Sequence, residues 1–247
     1  MPRTAPRLSL RARASWCAHL WKAATQQHHR AYRPLFRRLV PNDAVVCDVG
    51  AHAGQFTKLF ARLAPDGKVY AFEPGGYALS ILRRVVALHR LANVEICALG
   101  LSDRARDETL YMPVKRSGSM GFGLSHLGAD PRASVAEPVR LTTLDAFAAE
   151  RSLARLDFIK VDIEGWEMRM LAGGAGAIAR FRPALLIEVL AAHLARAGDT
   201  PDGVWQFFAA RDYRAELVRP AGSGLSLAPA PSPCEGDLLW TPTERAG

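Results

Sequence analysis

Residues 45–63 constrain this chain more than any other stretch. Val45, Val46, Cys47 and Val49 form a short apolar run that closes on Asp48, Gly50 and Gly54. Directly after it, Phe56, Leu59, Phe60 and Leu63 recur at i, i+3, i+4 and i+7, the repeat of a helix buried along one side. A strand, a tight glycine loop and a helix in immediate succession begin a nucleotide-binding α/β sheet. The glycines are expected to let the backbone turn sharply and approach a ligand, which a Cβ would prevent.

The ligand is narrowed by what the loop lacks. A pyrophosphate on a helix N-terminus calls for G-x-G-x-x-G, whereas Asp48, Gly50 and Gly54 give D-x-G-x-x-x-G. An acid ahead of the loop repels phosphate and suits a ligand with positive charge. S-adenosylmethionine (SAM) carries a sulfonium, an ammonium and no phosphate. A second acid, Glu73, ends the next apolar run at 68–73 and lies 23 residues after Gly50. That is near the roughly 20-residue spacing at which an acid grips ribose hydroxyls.

The chain of 247 residues is long enough for one α/β domain and a short extension. It is 49% hydrophobic and 23% charged, the balance of a globular chain without a membrane span. Cys17, Cys47, Cys97 and Cys234 form no C-x-x-C pair, so neither a structural zinc nor a disulfide framework is expected, and a cytoplasmic setting fits. The net charge of +8 is uneven: residues 1–40 hold eight Arg, one Lys and no acid, leaving the rest at −1. The basic character therefore belongs to the N-terminal arm, which argues against a nucleic-acid groove across the sheet.

Residues 1–14 are expected to be flexible and solvated, with a helix from about Ser15. Tyr32, Leu35, Phe36 and Leu39 form an apolar stripe for packing on the domain, and Pro34 marks a kink or the start of a second short helix. The basic face of residues 1–40 also suits peripheral contact with a membrane surface or an acidic partner. Strands are expected at 68–73, 93–99, 156–162 and 184–188, with helices near 77–89, 165–171 and 202–211. The alternation breaks at 108–114 and 139–144, read as strands with no helix between them. The 24 residues between them hold four Gly and two Pro, plus Met120 and Phe122, and read as a mobile cover for the acceptor or as a disordered surface insertion. Strands at 215–218 and 238–240 flank a Pro/Gly/Ser-rich loop over 220–236. Five strands alternating with helices predict a parallel sheet, with the last two closing an antiparallel edge. The organisation expected is a basic, partly helical arm over 1–40 and a catalytic domain over 41–247.

Taken together, these motifs resemble the FkbM-type SAM-dependent methyltransferases. The resemblance rests on residues 48–57, on Phe72, Glu73 and Pro74, on Leu101, Ser102 and Asp103, and on Thr143, Leu144 and Asp145. It continues through 157–167, where Ile-Lys-x-Asp-x-Glu-Gly-x-Glu is the most specific run, and through 183–188 and 238–240. It covers roughly residues 41–218 and the final strand. His52 stands where the family usually has Asn, and Gly75, Gly76 and Tyr77 replace a more polar segment. The resemblance implies a Rossmann-like class I methyltransferase fold, α/β, with a mostly parallel seven-stranded sheet and an antiparallel C-terminal edge. It also implies SAM as cofactor and a hydroxyl acceptor on a sugar or a natural-product-type small molecule.

The candidate cofactor residues are Asp48 for the methionine end, directly or by fixing the loop, Gly50 and Gly54 for the loop, His52, Thr57 as ligand contact or local backbone partner, Glu73 for the ribose, and Ser102 as ligand contact or turn cap. The candidate catalytic residues are Asp162, Glu164 and Glu188 at the carboxyl ends of the fourth and fifth strands, a place for a base or a divalent metal. Like-charge repulsion from Glu164 and Glu188 is expected to raise the proton affinity of Asp162. His193 reads as a helix-surface histidine. The competing functions are an inactive SAM-binding scaffold acting through its basic arm, a nucleic-acid methyltransferase, and an NAD oxidoreductase, which the loop disfavours.

Overall fold

The computed structural model describes residues 10–27, 29–113, 126–127, 134–222 and 224–245. In chain order the helices and strands are α1 (Leu10–Thr25), α2 (Arg33–Leu39), β1 (Val45–Val49), α3 (Gln55–Leu63), β2 (Lys68–Phe72), α4 (Gly76–Leu88) and β3 (Val94–Cys97). Then come β4 (Gly100–Leu101), β5 (Arg106–Pro113), β6 (His126–Leu127), β7 (Ser134–Thr142), α5 (Leu144–Glu150), β8 (Phe158–Val161), α6 (Glu167–Gly173) and α7 (Ala175–Phe181). The last are β9 (Ala184–Val189), α8 (Ala191–Ala197), α9 (Pro201–Ala209), β10 (Tyr213–Ala221), β11 (Gly224–Pro229) and β12 (Gly236–Pro242).

Among the described residues the main sheet has eight strands in the order β11-β10-β12-β9-β8-β1-β2-β3. The five from β9 to β3 are parallel, and β12, β10 and β11 continue antiparallel. This is the expected architecture with one strand more than the seven expected. The extra strand, β11, lies in the stretch read as a loop. Leu225 and Leu227 alternate toward the core there, and Pro229 is tolerated because the strand is an edge.

Strand alternation sorts the core onto two faces. Val46, Val69, Phe158, Leu186 and Leu239 pack with α3 on one side, while Cys47, Val49, Phe72, Ile159, Ile187 and Trp240 pack with α5, α6 and α9 on the other. The stripe in the N-terminal segment does bury: Phe36 of α2 is fully buried against Phe60 and Phe158. Pro34 sits in the first turn of α2, so it starts a second helix. Helix α1 begins at Leu10, earlier than expected, and packs on α4 through Trp16, Leu20 and Ala23 against Ile81 and Val85. Trp16 Nε1 donates to Ser80 Oγ over 2.8 Å. Lys58, 1% exposed, donates from Nζ to the carbonyls of Ala23 and Gln26, capping the end of α1.

The break in alternation is a second, four-stranded sheet, β4-β7-β5-β6. Its strand β7 stops at Thr142, two residues short of the expected end. Thr143 Oγ1 accepts from Ala146 N over 3.0 Å and starts α5, a helix the expected scheme lacks. The mobile cover expected over 115–138 falls largely outside the described residues, as does the segment before Leu10. Among the described residues no helix is long and apolar enough to cross a membrane.

Candidate active site

The carboxyl ends of β1, β2 and β8 open into a cavity of about 230 Å³, where an open α/β sheet places its ligand. Leu110 and Met112 of β5 reach over from the small sheet to form one wall. Of the ten candidate residues, Gly50, His52, Glu73, Asp162 and Glu164 line this cavity. Asp48, Gly54, Thr57, Ser102 and Glu188 are not on its wall.

Asp48 points inward. It is fully buried, accepts from Thr57 Oγ1 at 2.6 Å, and lies 3.9 Å from Lys160 Nζ. Burial pushes its pKa up, against the pull of Lys160 and the Thr57 hydroxyl. Asp48 and Thr57 thus brace the loop from beneath. Gly50 has φ +77°, and a Cβ there would sit 1.9 Å from the carbonyl oxygen of Asp162. What the missing side chain admits at this point is the end of β8, not a ligand, so Gly50 seals the loop onto the neighbouring strand. Gly54, at φ +81°, turns the chain into α3 against Leu82.

Glu73 joins two loops. Its Oε2 accepts from His52 N and its Oε1 from Gly75 N, each over 2.9 Å. Burial pushes its pKa up to about 7 despite those two bonds. His52 takes a left-handed φ of +50°, and burial pulls its pKa down to about 4, so its imidazole is neutral at pH 7. Ser102 lies behind the wall. It donates to Asp103 Oδ1 over 2.8 Å and accepts from the indole Nε1 of Trp166 over 3.0 Å, which fixes a Trp that does line the cavity.

Asp162 differs from expectation in its electrostatics. Lys160 Nζ lies 3.3 Å away and holds the Asp162 carboxyl below the usual carboxylate range. The rise expected from neighbouring acids is not seen: the charge and hydrogen bond of Lys160 outweigh burial and set the direction. Burial disfavours the charge on Lys160, but Asp162 and Asp48 outweigh it and keep the ammonium. Its Nζ also donates to Gly50 O over 3.1 Å. Glu164, at φ +58°, pairs with His193 Nδ1 at 3.1 Å and Arg196 at 3.5 Å, so His193 supports the cavity rim and is not a plain surface histidine.

Glu188 faces a second recess of about 80 Å³, which shares His29, Phe56, Lys160 and Asp162 with the main cavity. Tyr32 hydroxyl donates to Asp237 Oδ2 across it, and Asp237 pairs in register with Glu188. Burial, then Asp162 and Asp237, push the Glu188 carboxyl up to about 7. His29 stacks on Phe56 with ring centroids 3.9 Å apart. His29, Lys160, Trp166 and Asp237 line the two recesses with no site role assigned from sequence, and Tyr32 was read only as part of the packing stripe. The signal for Lys160 was its place in the Ile-Lys-x-Asp run, which gave it no electrostatic role.

The residues fit SAM chemically. The apolar wall of Phe72, Leu99, Leu101, Leu110 and Met112 suits a purine, while the Asp162 carboxylate suits a cation. Among the described residues the one lysine on the wall, Lys160, is held by two carboxylates and is not free to clamp a phosphate. Among the described residues no group of three or more His, Cys, Asp or Glu is arranged to hold a metal ion.

Comparison with known proteins agrees with this chemistry. A family model described as the methyltransferase FkbM domain matches residues 48–215. The AMB antimetabolite synthetase AmbE of Pseudomonas aeruginosa is 34% identical over 182 residues, covering 60% of this chain and 8% of that protein. The 31-O-demethyl-FK506 methyltransferase FkbM of Streptomyces tacrolimicus is 31% identical over 159 residues, covering 55% of this chain and 60% of its own length. This chain thus spans less than two thirds of either relative. A solved structure of a methyltransferase FkbM from Methylobacillus flagellatus has a TM-score of 0.53 at 16% identity, covering 94% of this chain and 59% of that one. That likeness shows the fold.

Proposed function

This chain belongs to the FkbM family of methyltransferases, and from that premise we propose that it moves the methyl group of SAM onto a hydroxyl of a small molecule of the sugar or natural-product type. The observation that carries the reading is the Lys160 array, which holds Asp162 as an anion on the wall beside the glycine loop. The hydroxyl acceptor is supported by the Streptomyces tacrolimicus relative, whose name specifies an O-linked position.

Glu73, the loop at Gly50 and His52, and the apolar wall are assigned to the cofactor. When bound, SAM supplies a methyl group on a sulfonium, an electrophile that needs in-line alignment more than acid catalysis. Asp162, kept ionised at neutral pH, orients a hydroxyl by accepting its hydrogen bond and favours positive charge nearby. Its lowered proton affinity makes it a weak base. Glu188, with a pKa about 7 in the adjoining recess, is the better group to take the hydroxyl proton as the bond forms. Glu164 is spent on His193 and Arg196, and is assigned to the rim. The cysteines are free, which suits a reducing cytoplasm.

The test is incubation with methyl-labelled SAM and a panel of methyl glycosides, polyols and macrocyclic alcohols, alongside the matching amines. Label on oxygen supports the reading. Label on nitrogen alone overturns the assignment to hydroxyls.

A further inference from the structure

The helices on one side of the sheet contain no acid. β1, β2 and β3 step in one direction along the sheet, so right-handed crossovers put α3 and α4 on the same face. Helix α1 packs on α4, and α2 packs on α3. None of these four helices holds an Asp or Glu, while together they hold ten Arg or Lys. On the opposite face α5, α6 and α9 carry Asp145, Glu150, Glu167 and Asp202.

The same face carries exposed apolar side chains. Trp21 of α1 is 71% exposed and Leu88 of α4 is 66% exposed. They flank one contact: His89 Nε2 lies 2.9 Å from Ala24 O, and Ala24 is one turn beyond Trp21. Lys22, Arg62, Arg83, Arg84 and Arg90 are exposed around that seam. Within the described residues none of these five lies within ion-pairing distance of a carboxylate.

We infer that this face docks on an anionic lipid bilayer, with Trp21 and Leu88 entering the interface and the arginines lying over the headgroups. Charge complementarity selects an anionic partner, since each base beside a negatively charged leaflet adds attraction. The exposed Trp–Leu pair selects lipid over nucleic acid. A phosphate backbone offers those side chains nothing, whereas Trp favours the boundary between headgroups and acyl chains. The inference is independent of the methyl acceptor, because the cavity lies at the sheet's carboxyl edge and not on this face.

The test is co-sedimentation of the full chain with phosphatidylcholine vesicles, with and without phosphatidylglycerol, at low and high salt. Binding is expected only with phosphatidylglycerol and should fall as salt rises. R83E with R84E should weaken it by at least about five-fold per base removed, the factor equal to about 1 kcal/mol. Trp21→Ser with Leu88→Ser should weaken it at least about ten-fold with the charges intact. All four positions are exposed, so the variants are expected to fold, with circular dichroism as the check. As a second readout, an environment-sensitive dye on the exposed Cys17, in a Cys234→Ser background, should shift to the blue on adding the anionic vesicles. Absence of binding at low salt overturns the inference. So does binding that ignores the Trp21 and Leu88 changes, above all if duplex RNA competes for it, which would assign the face to polyanions in general.

Discussion

Replacing Lys160 with Met removes the one cation between two acids. Lys160 is 4% exposed and Asp48 is fully buried, so their pair, at 3.9 Å, is poorly screened. With an effective dielectric of about 20, such a pair is worth roughly 4 kcal/mol before desolvation is counted. The closer pair with Asp162, at 3.3 Å, adds less than its distance suggests, because that side chain is 40% exposed and solvent screens it. Stranding a buried charge costs about 3–5 kcal/mol, and that is the loss of stability expected for Lys160→Met at pH 8. The dependence on pH gives the sign. Asp48 has a raised pKa even beside Lys160, so without the lysine its ionised form is costly, and protonation on acidification relieves the cost. In the wild type, the lowered pKa of Asp162 contributes stability at neutral pH that is lost as pH falls through the acidic range. Between pH 8 and pH 5 the Asp48 effect closes the gap between variant and wild type, while the Asp162 contribution stays constant because pH 5 is still above the ordinary Asp pKa of about 3.9. Urea unfolding at pH 8 and pH 5 reads it directly, and adding Asp48→Asn to Lys160→Met should recover part of the loss at pH 8. A variant within about 1 kcal/mol of wild type at pH 8, or a gap that widens toward pH 5, refutes the reasoning.

Gly50→Ala is expected to cost about 2 kcal/mol or more, since φ +77° already disfavours a side chain and the Cβ would overlap the Asp162 carbonyl; thermal unfolding measures it. Lys58→Met removes the donor to Ala23 O and Gln26 O and should destabilise by about 1–3 kcal/mol. Limited trypsinolysis should then cut within residues 10–27 sooner than in the wild type. Glu188→Gln should reduce turnover by about 10²–10⁴-fold with cofactor affinity retained. The wild-type rate should rise with pH through a pKa about 7 as Glu188 becomes ionised, and that limb should vanish in the variant. A limb that persists assigns it to another group.

The sheet was legible because its strands are short apolar runs closed by acids or glycine, and α3 repeats its buried positions over nine residues. Helices α5, α7 and α8 were not. Each has seven residues, too few for two full turns of periodicity, and their alanines mark no face. The site was legible as a list of acids but not as an electrostatic arrangement. Asp48 and Glu73 stood out by position, yet which way each carboxylate points depends on partners distant in sequence. Thr57 lies nine residues from Asp48 and Lys160 lies opposite Asp48 across the β1–β8 ladder. Register between strands is a tertiary fact, so the lysine that sets the charge of Asp162 was seen only as part of a motif. Tyr32 and Asp237 meet across 205 residues, a separation that no local pattern announces.

The most direct test of the central claim is calorimetric titration of SAM, its demethylated product and NAD into the wild type and Glu73→Ala. Saturable binding of SAM and its product, no heat from NAD, and a loss of roughly 1–3 kcal/mol in Glu73→Ala are expected. NAD binding without SAM heat, or SAM affinity unchanged in Glu73→Ala, would contradict that claim.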